Sequence, residues 1–314
     1  MAIGWAVWRL PTLAHDPPLE LAEAPSPPGG ETGAAVVVEE PDPEPPAAGT
    51  GEPQATSKEE AGAAPSPAPS PPAPPREAER PAPKTPPSRK SGSAQNAAQQ
   101  RDLNTYVLEI IDTYRGKSYP YLLNNDYANY NGVTQDIVYQ GQTLLKAHPS
   151  GNRASHCVGI TFEVFFRAMQ QRNRQAGLEP DDFNGMDYAD LEDMILTWYV
   201  AKGPKSESNL ALAVERYGLG RRITNLESVR AGDFIDFSRT NRTGHAAVFI
   251  DWVRQGGEIV GLKYWSSQGS TGGISYRTEY FNVPGPQGEL YGNVIKDRLY
   301  IARVGPIASY RSLR

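Results

Sequence analysis

Apolar residues follow two different periods along this chain. From residue 102 to residue 217 they recur three and four apart, the spacing of one helix face; beyond residue 231 they alternate or run in short blocks, as in strands. Tyr106, Val107, Ile110, Ile111 and Tyr114 mark a first helix, stopped by Gly116. Val158, Phe162, Phe165, Phe166 and Met169 form the stripe of a second, which puts Cys157 at or just inside its N-terminus. Two more helical segments, 188–201 and 208–217, are separated by Pro204. Strands are predicted over 231–237, 244–252, 261–267 and 298–304, with Gln255-Gly256-Gly257 as the hairpin between the second and third. Helices followed by an antiparallel sheet predict an α+β domain.

The first hundred residues carry no such pattern. They hold 22 of the 29 prolines and only two aromatics, Trp5 and Trp8. A segment so poor in large apolar groups cannot offset an ordering cost of about 1–2 kcal/mol per residue. Residues 1–100 therefore read as a disordered Pro/Ala/Glu-rich arm, and runs such as Pro65-Ser66-Pro67-Ala68-Pro69 favour an extended polyproline spacer. Residues 101–314 are long enough for one good core. At the start, residues 2–8 are apolar but end at Arg9, too short for the core of a signal peptide. They read as a disordered terminus or as the remnant of an anchor, which would make the arm a membrane or wall tether.

Charge divides at the same boundary. The arm has 7 basic and 13 acidic residues, whereas residues 101–314 have 24 and 23. A near-neutral domain lacks the broad positive field that nucleic acid demands, and the basic residues between 76 and 90 read as solvated linker charge, so no nucleic-acid partner is expected. No run approaches the roughly 20 apolar residues that span a membrane. A single cysteine excludes an intramolecular disulfide and a multi-thiolate zinc site. Carboxylates lack a paired acid/base spacing and no phosphate-cradling glycine loop occurs, so neither metal nor cofactor is expected.

What remains is the thiol. A helix N-terminus favours negative charge, so Cys157 is placed where its thiolate would be stabilised. His245 follows Thr243-Gly244 and opens an apolar strand, where its ring could act as the base. A third polar residue should hold that ring from the neighbouring strand. One hairpin register opposes Ser267 to His245, and a slip of one residue either way selects Ser266 or Gln268. Gln268 is preferred because an amide oxygen can accept from an imidazole N–H. Asp233 reads as the end of a turn, and Asp236 as a strand residue facing solvent.

Four landmarks occur in a suggestive order: Gly116 to Tyr121 ending Tyr-Pro-Tyr, Cys157-Val158-Gly159, Gly232-Asp233-Phe234 with Phe237, and Gly244-His245-Ala246-Ala247-Val248-Phe249. Their order over residues 102–305 resembles the NlpC-type cell-wall peptidases. The resemblance implies a papain-like fold that cleaves amide bonds in peptidoglycan stem peptides, with Cys157, His245 and a polar third residue, Gln268 being a type the family tolerates. It also makes the Tyr121 hydroxyl a candidate oxyanion donor beside the Cys157 N–H. A peptidoglycan substrate would place the domain in the periplasm or cell envelope.

Two departures from the family pattern matter. Ser155-His156-Cys157-Val158-Gly159 stands where the family has Asp-Cys-Ser-Gly. His156 is read as a helix-cap neighbour, with an extra proton carrier or an oxyanion donor as alternatives. Residues 186–222 exceed the minimal domain and form either a lid or a packing insert. Two other functions stay open: a catalytically inactive wall- or peptide-binding module of the same fold, and an acyl transferase of the transglutaminase sort.

Overall fold

The computed structural model describes residues 90–123, 126–284, 288, 290 and 292–313. The arm expected over residues 1–100 lies outside them as far as residue 89. Helices α1 (Lys90–Gln100), α2 (Asn104–Asp112), α3 (Cys157–Ala176), α4 (Tyr188–Trp198) and α5 (Leu210–Arg216) precede most of the sheet. A small hairpin joins β1 (Ile137–Tyr139) to β2 (Gln142–Leu145). The main sheet contains β3 (Gly220–Arg222), β4 (Phe234–Arg239), β5 (Gly244–Gln255), β6 (Glu258–Gln268), β7 (Gly273–Tyr280) and β8 (Val294–Val304). Its spatial order is β3-β8-β4-β5-β6-β7, antiparallel throughout. The α+β expectation therefore holds.

Order begins earlier than residue 101. Residues 90–100 are helical, Ala98 is buried, and Gln99 Nε2 donates to the Ala176 carbonyl at 3.4 Å. Alanine and glutamine are good helix formers, and the end of α3 gives them something to pack against. Small polar composition alone misplaced this boundary.

Helices α4 and α5 have visible starts. Asp187 and Asp190 form a capping box on α4, and the Asn209 side chain accepts from Leu212 N–H at 2.9 Å on α5. Helix α3 stops at Gly177 with φ of 72°, the left-handed conformation glycine adopts freely.

The sheet is buried on both faces. Toward α3, Phe234, Ala246, Val248, Trp265 and Ala302 pack with Phe162, Phe165 and Trp198. The opposite face gathers Ile235, Phe237, Ala247, Phe249, Tyr264 and Phe281. Double burial is why these strands read as apolar blocks rather than as clean alternation. The extra segment 186–222 supplies core, since Leu191, Met194, Trp198, Leu210 and Val214 are fully buried. Its helices pack rather than cover.

Two buried polar groups brace the frame. Asp233, read from sequence as a turn residue, takes two bonds from Arg303, at 2.8 and 2.6 Å, and one from Asn104 at 2.8 Å. Glu163 on α3 accepts from the Tyr114 hydroxyl at 2.7 Å and from both the amide and hydroxyl of Thr134. These bonds lock α2, β8 and the loop before β1 around the α3 helix.

Candidate active site

The start of α3 is set by His156. Its backbone is extended, and Nδ1 accepts from the Gly159 N–H at 3.3 Å, so the imidazole itself caps the helix. The ring is buried with Tyr127, Tyr130 and Tyr199 around it, edge-on. Gly132, at φ of 78°, lies flush against it: a Cβ there would fall 2.1 Å from Nε2. Burial lowers the ring's pKa to about 4. His156, read from sequence as a neighbour of the cap, is thus itself the cap, and neutral.

Cys157 is the first residue of α3 and is half-buried. Its position over the sheet follows from its neighbours. The Ser267 hydroxyl donates to the Ser155 carbonyl at 3.1 Å. Continuing the Val248↔Trp265 register by two residues sets Ser267 beside Ala246, and Ala246 pairs with Asp236. Ser267, Ala246 and Asp236 therefore form a row across three strands on the α3 face, and the sulfur lies over it. Burial raises the thiol's pKa, and the Asp236 charge adds to this. The N–H groups of Ala246 and Val158 and the Lys205 ammonium pull it back.

His245 and Gln268 are neighbours, in the register that the favoured alternative required. With the Gln268 amide oriented to satisfy its surroundings, its oxygen accepts from Arg277 Nε at 3.2 Å and Nη1 at 2.9 Å, while its nitrogen donates to His245 Nε2 at 3.0 Å. The polarity is the reverse of the expected one. A donated hydrogen bond favours the neutral ring, and burial together with Arg239, Lys205 and Arg277 holds the His245 pKa well below the ordinary histidine value.

The ring also faces the other way. Successive strand residues alternate faces. Ala246 points to α3, so His245 points to the far side, where its ring meets Phe237 and Tyr264 at centroid distances of 5.5 and 5.3 Å. Among the described residues no hydrogen bond joins the Cys157 sulfur to His245. The strand carries both partners' neighbourhoods, but through opposite faces.

Of the remaining candidates, Ser266 donates to the Ala246 carbonyl at 2.7 Å and Ser267 anchors the approach to α3. Tyr121 is tied through its backbone to Ser155 and to the Gly272 carbonyl. The tyrosines whose phenols sense the sulfur's charge are Tyr127 and Tyr199. Asp236 corrects an expectation: it is buried, not solvent-facing, because Lys205 from the α4–α5 turn meets its Oδ1 at 2.5 Å. Sequence spacing gave no hint of that pair, since 31 positions separate its members.

Among the described residues, no group of three or more His, Cys, Asp or Glu is arranged to hold a metal ion, and no helix is long and apolar enough to cross a membrane. No protein-family model, curated protein or solved structure matches the chain.

Proposed function

We propose that the domain is a papain-like cysteine peptidase or amidase that hydrolyses amide bonds of peptidoglycan stem peptides, with Cys157 as nucleophile. The observation that carries this reading is the placement of the chain's single thiol, partly buried at the N-terminus of a 20-residue helix and laid against the strand that bears His245. The helix dipole and the Ala246 and Val158 N–H groups favour negative charge on sulfur. The thiolate attacks the amide carbonyl, the amine leaves with a proton from the base, and water cleaves the resulting thioester.

In this reading the described arrangement is a resting one, with a protonated thiol and a neutral histidine. His245 would serve as base only after leaving the Gln268 nitrogen and reaching the α3 side of β5. Bound peptide would supply the drive for that change.

A second reading is favoured by the His245 orientation itself. A domain whose imidazole is built into the far core could bind wall peptides through the same face without cleaving them. Purified peptidoglycan and stem peptides incubated with the protein and with Cys157→Ala separate the two. New amine ends from the wild type and none from the variant support the hydrolase. Undiminished cleavage by Cys157→Ala removes it, and binding without cleavage by the wild type selects the binding module. Incorporation of an added amine in place of water would indicate acyl transfer.

A further inference from the structure

The insert does more than fill the core: its α4–α5 turn lowers a cation into the sheet beside the thiol. Lys205 Nζ donates to Asp236 Oδ1 at 2.5 Å and to the Phe237 carbonyl at 3.1 Å. The Asp236 side chain is 3% exposed and that of Lys205 21%. Gly244 leaves room for this ammonium, since a Cβ at that position would fall 2.6 Å from Nζ. Asp236 stands next to Ala246 in the row beneath Cys157, on the face that His245 does not share.

We propose that Asp236 and Lys205 are the positioning pair of Cys157, a buried carboxylate and its counter-ion that together set the charge felt by the sulfur. This rests on the reading of Cys157 as a nucleophile. A carboxylate alone at that place would oppose thiolate formation, and an ammonium alone would promote it. Held together they offset one another, which leaves burial to keep the thiol protonated until something separates them. The other titratable groups near the sulfur are neutral near pH 7, since Tyr127 and Tyr199 have raised pKa values and His156 a lowered one; burial raises the Asp236 carboxyl too, and the Lys205 ammonium works against that. Asp236 and Lys205 are then the charges that decide. A peptide ammonium that competes for Asp236 would free Lys205 and switch the thiol on as it binds, whereas a peptide carboxylate that takes Lys205 would hold it off.

The test is alkylation of the full chain by iodoacetamide as a function of pH, which needs no substrate and so stands apart from the question of hydrolysis. Asp236→Asn keeps the shape and leaves Lys205 uncompensated. It should speed alkylation near pH 7 about tenfold, the change that a shift of one pKa unit gives. Adding Lys205→Met to Asp236→Asn should cancel most of that gain. If Asp236→Asn fails to fold, judged by circular dichroism, Lys205→Met alone serves: it leaves the carboxylate unopposed and should slow alkylation several-fold. The pair would be merely structural, and the proposal overturned, if the profile of Asp236→Asn coincided with the wild type. A gain that survived in the double variant, or an unchanged or faster rate in Lys205→Met, would overturn it equally.

Discussion

Cys157 and His156 sit side by side, yet burial acts on them in opposite senses: it raises the thiol's pKa and lowers the imidazole's, so that both are uncharged at neutral pH. For the thiol, alkylation of the free protein should therefore rise only above the ordinary cysteine range of about 8.5. A reactive thiolate at pH 6 in the absence of any ligand would contradict this. For His156 the sign follows from linkage. Its folded pKa, about 4, lies below the ordinary histidine value of about 6.5, so its contribution to stability is complete above pH 6.5 and is lost as pH falls toward 4. The loss amounts to about 3 kcal/mol at its limit. His156→Asn retains a cap but cannot ionise. Denaturant titrations at pH 7 and pH 4 should show a smaller acid loss in this variant than in the wild type, and equal losses would refute the burial argument.

At the scale of elements, α3 and the insert helices share one core. Trp198 contacts Phe162, Phe165 and Phe234, and is fully buried. Trp198→Ala should cost about 3–5 kcal/mol, because a large cavity opens between helix and sheet. A near-neutral result by thermal or denaturant unfolding would return the insert to the status of a loose lid. Helices α2 to α5 were legible because their apolar stripes are regular, with Gly116 as a stop after the first, whereas α1 has no such stripe. Strands β4, β5, β6 and β8 were legible as apolar runs, while β1, β2 and β3 are too short to leave a pattern and β7 is a largely polar edge strand. What sequence could not convey was facing. In β5 both faces are buried, so hydrophobicity does not say whether His245 looks toward α3 or away from it. The same double burial hid Asp236, whose partner Lys205 comes from the insert.

For the whole molecule, the thiol, its charged pair and the histidine–glutamine pair all depend on one sheet whose two faces carry different partners. Among the described residues the frame starts with α1, and its packing on α3 is testable by truncation. A chain beginning at residue 101 should unfold several degrees below one beginning at residue 88, since a loss of 1 kcal/mol lowers Tm by about 2–4 °C in a domain of this size. Identical melting temperatures would show that α1 adds nothing to the core. The chemistry itself is tested most directly by intact-mass spectrometry of the protein quenched in acid during incubation with a stem peptide. An acyl adduct of the peptide's N-terminal portion, mapped to Cys157 and absent from Cys157→Ala, is the predicted result. Turnover with no adduct at Cys157, or turnover by Cys157→Ala, would contradict it.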